Sequence, residues 1–389
     1  MCAELKKRND ILRHMLYLDN NATTPITPSV KKYFIECLDA FGNASTLYSL
    51  GQQADALLEL ARKRLATSLD VTPEEIIFTS GGTESNNLAI KGAAYANRGK
   101  GNHLITSAIE HPSVLNVFNY LQRKGFQVTY LPVTPVGFVD PDILKAALRP
   151  ETILVSIMAA NNETGMIQNI PGLTKIIRAQ NPEIIIHTDA VQAFGKISIS
   201  VKAWDVDLLS ISGHKIHAPK GIGCLYVRRG VRLDPLCEGG PQERGLRPGT
   251  EPVPLIAALG LAAEEAMTAL PAYTQLQDLK LKLLQDLKAW REDIVINGDV
   301  SLSLPNTLNI TIPGINAEAV VLKLDQAGVL VGNGAACSSG KNESSYVLKA
   351  MGVPSVMARS SLRISLSLLM TELELSYFTK ELMRVTVKS

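Results

Sequence analysis

From Ile76 to Val227, short apolar runs rich in Val, Ile and Phe alternate with longer segments of helical spacing. This pattern predicts an α/β domain with a mainly parallel, seven-stranded sheet. The expected strands are Ile76 to Ser80, His103 to Ser107, Gln127 to Leu131, Ile153 to Met158, Ile184 to Thr188, Leu208 to Ile211 and Gly223 to Val227. Glu84 to Ala96, Pro112 to Lys124 and Pro141 to Leu148 read as helices, each opening near a residue suited to a first turn or cap. After Pro254, Leu255 to Leu270 and Leu276 to Trp290 carry Ala, Leu, Glu and Lys at helical spacing, which predicts one long, kinked helix. A strand at Leu308 to Ile312, a helix at Ala317 to Ala327, a Gly-rich stretch from Gly332 to Gly340, a helix at Ser345 to Met351, a strand at Leu362 to Leu366 and a terminal helix complete a smaller α+β unit. The expected division is a large domain over 16–255 and a small one over 256–389, with the residues before 16 packed on the small domain or disordered.

Composition narrows the class. The 389 residues carry 39 Lys+Arg against 37 Asp+Glu, spread along the chain without basic blocks, so nucleic acid is not an expected partner. No uninterrupted apolar run approaches the roughly 20 residues of a bilayer span, and Met1 to Leu12 mixes charges rather than leading into an apolar signal region. The expectation is a cytoplasmic protein without membrane contact. Five scattered cysteines with no C-x-x-C pair argue against a disulfide framework and a structural zinc site, and His214 and His217 lack a third ligand for a metal.

The chemistry gathers at predicted strand ends, where open α/β sheets bind ligands. Phe78-Thr79-Ser80-Gly81-Gly82-Thr83-Glu84-Ser85 runs from a strand through two glycines into a helix start, a place for a phosphate or simply a capped helix. Three isoleucines, Ile184 to Ile186, lead to Asp189, a carboxylate that needs a cation or strong donor unless it caps a helix. Leu208 to Ile211 deliver Lys215, whose ammonium beside an apolar sheet can become a nucleophile for carbonyl carbon. An anion cradle, a buried aspartate and a strand-end lysine together are what pyridoxal 5'-phosphate requires. Glu110-His111 adds an imidazole that could stack on a ring.

In order along the chain, Tyr17-Leu18-Asp19-Asn20-Asn21-Ala22-Thr23-Thr24-Pro25, Gly81 to Asn87, Glu110-His111, Asn161-Asn162-Glu163-Thr164-Gly165, Asp189-Ala190-Val191-Gln192, Ser212-Gly213-His214-Lys215, Gln242 to Thr250 and Ala336-Cys337-Ser338-Ser339-Gly340 resemble the cysteine desulfurases. The resemblance leans to the iron–sulfur assembly and nitrogen-fixation group. It implies a fold type I pyridoxal-phosphate enzyme, a homodimer, that turns L-cysteine into L-alanine and passes the sulfur to an iron–sulfur scaffold or other acceptor protein. By motif it makes Lys215 the Schiff-base lysine, Asp189 the partner of the pyridine nitrogen and His111 the stacked, proton-handling histidine. Gln192 and Asn162 would contact the ring oxygen or substrate. Gly82, Thr83, Ser212 and His214 would hold the phosphate, with Thr250 reaching it from the other subunit. Arg363 would grip the substrate carboxylate, and Cys337 would take the sulfur as a persulfide. Cys237 is the second thiol to consider, while Cys224 reads as core.

Three features depart from the family pattern: Gly332-Asn333-Gly334-Ala335-Ala336 stands where relatives usually have a Ser-rich run, Asn342-Glu343-Ser344 where they commonly have Leu-Glu-Pro, and Ser367 where they often have Gly. Rival readings are a lyase for selenocysteine or cysteine sulfinate, an aminotransferase indifferent to Cys337, and a scaffold that has lost its chemistry.

Overall fold

The computed structural model describes residues 15–333 and 344–386. Strands Ile76–Thr79, Gly223–Val227, Leu208–Ser212, Ile185–Asp189, Thr152–Ser156, His103–Ser107 and Gln127–Leu131 lie side by side in that order as one seven-stranded sheet. Gly223–Val227 alone runs antiparallel to its neighbours, and the other pairings are parallel. Runs such as Leu208–Ser212 are buried throughout, as expected for strands covered on both faces by helices. The carboxyl ends of the parallel strands, Thr79, Ser107, Ser156, Asp189 and Ser212, therefore open on one edge of the sheet.

Helix Gly82–Ala96 follows the first of these strands and packs on the central ones. Its entry is tight. Gly81 has φ +150°, a backbone that suits glycine, and a Cβ on Gly82 would meet Val191 Cγ2 at 2.8 Å. Behind this turn, the buried Glu243 accepts hydrogen bonds from the Phe78 N–H at 2.7 Å and from Arg62 Nη2 at 2.8 Å.

A second sheet has the order Leu16–Leu18, Val329–Asn333, Ser361–Ser365, Thr307–Thr311 and Val295–Ile296. The expected long helix is one continuous element, Val253–Trp290, with Pro271 inside it. By length and composition it could cross a bilayer. Here its first half packs Ile256, Leu259 and Ala263 into the core of the larger sheet, and its second half packs Leu276, Leu283 and Leu287 into that of the smaller. The expected boundary at 255/256 lies in its first turn. Leu16–Leu18 belongs by pairing to the smaller sheet.

Helices Pro28–Glu36, Ser49–Leu69 and Ile170–Gln180 and strands Leu16–Leu18, Val295–Ile296 and Val329–Asn333 add to the elements expected from the sequence. Ser367 is not among the residues with positive φ, so serine meets no left-handed backbone there.

Candidate active site

A cavity of about 480 Å³ opens at the carboxyl edge of the larger sheet. Of the twelve residues singled out from the sequence, ten line it: Gly82, Thr83, His111, Asn162, Asp189, Gln192, Ser212, His214, Lys215 and Arg363. Thr250 does not; it is exposed, in the irregular segment before the long helix. Cys337 lies outside the described residues.

Asp189 ends its strand 4% exposed, with its charge held by two donors. Its Oδ1 accepts the Val191 N–H at 3.0 Å, and its Oδ2 accepts Asn86 Nδ2 at 2.7 Å. Asn86 Nδ2 also donates to Ser113 Oγ at 2.8 Å. Ser113 in turn meets His111 Nδ1 with its hydroxyl at 2.8 Å and its N–H at 3.1 Å. An acceptor at Nδ1 places the imidazole proton on Nε2. Burial, with Lys215 adding to it against the pull of Asp189, lowers the His111 pKa, which keeps the ring neutral.

Lys215 Nζ donates to the carbonyls of Asn21 at 2.6 Å and Ala22 at 2.7 Å. These carbonyls belong to the segment after Leu16–Leu18, so the smaller sheet's first strand delivers part of the lysine's setting. His214 meets Thr23 Oγ1 through Nδ1 at 3.1 Å. Burial first, then Lys215, Lys220 and Lys196, push its pKa down to about 4.

Arg363 is 2% exposed and comes from the smaller sheet. Nη2 pairs with Asp19 Oδ1 at 2.7 Å, and Nη1 donates to the Asn162 carbonyl at 3.1 Å. Gly332 lies opposite it in the strand register, and a Cβ there would sit 2.7 Å from Asp19 Oδ1 and 3.0 Å from Arg363 Nη2. A side chain at 332 would therefore press on the Arg363–Asp19 pair.

Beside the cavity sit two buried carboxyls. Burial lifts the pKa of Glu110 to about 8 and that of Glu163 to about 7, and Glu163 accepts the hydroxyl of Ser345. The other thiols are placed plainly. Cys224 is buried, its pKa pushed up to about 12 chiefly by burial, Cys37 is buried, and Cys237 is exposed away from the cavity.

The aminotransferase class-V family model matches residues 16–378. The chain is 44% identical over 381 residues to the cysteine desulfurase IscS of Dictyoglomus turgidum, covering 97% of this chain and 96% of that one. The chain belongs to the cysteine desulfurases. A solved NifS-like protein superposes with a TM-score of 0.91 at 38% identity, over 96% of this chain and 100% of that one. The solved SspA in complex with cysteine does so at 0.80 and 38%, over 90% and 98%. The fold is that of fold type I pyridoxal-phosphate enzymes, and desulfuration of L-cysteine with that cofactor, followed by sulfur transfer to an acceptor, is the activity of this chain.

For this cysteine desulfurase, sequence reasoning missed Asn86, Ser113, Asn21 and Asp19, which hold the singled-out residues in place. Asn21, Asn86 and Asp19 stand inside the quoted motifs, but their partners come from other elements.

Proposed function

We propose that this cavity binds pyridoxal phosphate and L-cysteine, and that Cys337 takes the sulfur as a persulfide. The observation that carries the reading is the convergence of Lys215, Asp189 and Arg363, from separate strands of both sheets, on one cavity. The residues fit the cofactor. The N-terminus of helix Gly82–Ala96 and the neighbouring Ser212 and His214 suit a phosphate, and the buried Asp189 carboxylate suits a protonated ring nitrogen. Asn86, Asn162 and Arg363 line the same cavity, and each keeps one buried polar atom, Oδ1, Oδ1 and Nε, without a hydrogen-bond partner among the described residues.

When bound, the cofactor supplies the electron sink for charge arising at the substrate's α-carbon. Lys215 would hold it and, once released, move the α-proton, while neutral His111 donates from Nε2. Arg363 and Asn162 orient the substrate carboxylate. The Cys337 thiolate attacks the substrate sulfur; an S–S bond forms as the C–S bond breaks, the bonding pair stays on carbon, and protonation gives L-alanine. That SspA is solved with cysteine supports the substrate assignment. The test is L-alanine release from L-cysteine in the absence of any keto acid; a strict keto-acid requirement would instead mark an aminotransferase.

Arg363→Lys is expected to raise the KM for L-cysteine about 10- to 100-fold with a smaller change in kcat, because an ammonium cannot reproduce the planar fork. Steady-state kinetics check this.

The proposal includes a homodimer in which Thr250 completes the partner's phosphate site. Five large apolar side chains, Ile35, Leu38, Phe41, Leu47 and Tyr48, lie exposed within one segment, Leu47 at 91%, which supports burial against a second copy. Sedimentation equilibrium is expected to give twice the chain mass. The acceptor is proposed to be an iron–sulfur scaffold protein or another sulfur carrier, and the compartment the cytoplasm, which keeps thiols reduced. We further propose two domains, with Leu16–Leu18 moved from the larger, where the sequence reading put it, to the smaller, and the division inside helix Val253–Trp290.

A further inference from the structure

Lys196 has no part in the chemistry described so far, yet it is 3% exposed and sits beside the cavity. Its Nζ donates to Gln192 Oε1 at 2.9 Å. Burial first, then Lys215 and Arg363, push its pKa down, to about 7. A lysine kept for packing alone would sit more cheaply there as methionine, which buries no polar amine.

The amide next to it is held from both ends. When charged, Lys196 only donates, and its 2.9 Å contact then holds the carbonyl face of Gln192. The opposite face, Nε2, donates to the Asn21 carbonyl at 2.9 Å, and a carbonyl only accepts. The second N–H of the amide is left for the cavity that Gln192 lines. The Asn21 carbonyl also accepts from Lys215 Nζ at 2.6 Å, so Gln192 and Lys215 compete for it.

We propose that Lys196 is a positioning residue whose Nζ, donating to Oε1, fixes the Gln192 amide with its carbonyl toward Lys196 and its N–H toward Asn21, beside Lys215. This rests on the reading of the cavity as the cofactor site. With Lys196 removed, the amide loses the partner on its carbonyl face and is free to swing off the Asn21 carbonyl, which then loses a competing donor, and the protonated form of the Lys215 nitrogen is held more tightly.

The test is the pH titration of the visible absorbance of the substrate-free holoenzyme. Lys196→Met is expected to raise the midpoint by about one pH unit. Lys196→Arg, which also only donates, is expected to keep the midpoint near that of the unsubstituted enzyme. In a Gln192→Leu background the shift caused by Lys196→Met is expected to shrink about threefold or more, because the two residues act as one unit. If Lys196→Met lowers only the melting temperature, or shifts the midpoint equally in both backgrounds, the proposal is overturned. Should Lys196→Met fail to fold, Lys196→Leu, which also offers no donor, is expected to give the same upward shift; an unmoved midpoint there overturns the proposal as well. A protein that shows no visible band with added pyridoxal phosphate overturns the cofactor reading and this proposal together.

Discussion

Lys215→Ala is expected to lower the turnover of L-cysteine by about 10³-fold or more and to let the cofactor wash out on gel filtration. The lysine follows the strand Leu208–Ser212 in the short turn Gly213–Lys215 and lines the cavity, and the proposed function makes its Nζ the reactive amine. No neighbour can substitute for it. Lys196 is the other buried lysine nearby, but its Nζ is committed to Gln192 Oε1. Lys220 lines the cavity from beyond the following turn. Alanine at 215 leaves the Asn21 and Ala22 carbonyls without this donor, so a modest loss of thermal stability is expected beside the loss of activity. Absorbance after gel filtration, read together with alanine release, checks both parts. Retained cofactor with near-normal turnover would remove Lys215 from the chemistry.

Cys337→Ser is expected to abolish sulfur transfer, also about 10³-fold or more, while leaving the cofactor absorbance and its response to added L-cysteine in place. The two variants therefore fail at different points, one before substrate is processed and one at the sulfur. A hydroxyl at physiological pH is far less nucleophilic toward sulfur than a thiolate, so serine keeps the shape and loses the reaction. Spectra of the variant with and without L-cysteine, alongside sulfide and alanine assays, check the prediction. Selenocysteine turnover that survives in the same variant would show that the thiol is needed for sulfur in particular.

Much of the larger sheet was legible because all of its strands but Gln127–Leu131 are continuous buried runs. His103–Ser107, Gln127–Leu131 and Gly223–Val227 stand at the expected bounds. The three-residue strand Leu16–Leu18 was not, since nothing in so short a run announces a partner at Val329–Val331. The 21-residue helix Ser49–Leu69 buries Gly51, Ala54, Ala61 and Ala66 among its larger residues, and a face of small side chains carries little hydrophobic contrast. The site divides the same way. Residue types at strand ends point to Asp189 and Lys215, but what tunes them is brought from afar. Asn86 reaches Asp189 across 103 positions, and Asp19 reaches Arg363 across 344. Lys196 falls outside the quoted motifs, and its burial beside Gln192 exists only in the fold.

The central claim is that sulfur leaves L-cysteine by way of Cys337, and mass spectrometry of the purified holoenzyme after L-cysteine tests it most directly. One added sulfur on the Cys337 peptide, accompanied by L-alanine and absent in both Cys337→Ser and Lys215→Ala, is the predicted result. L-alanine formed with no sulfur on that peptide, or sulfur found instead on Cys237, would contradict it.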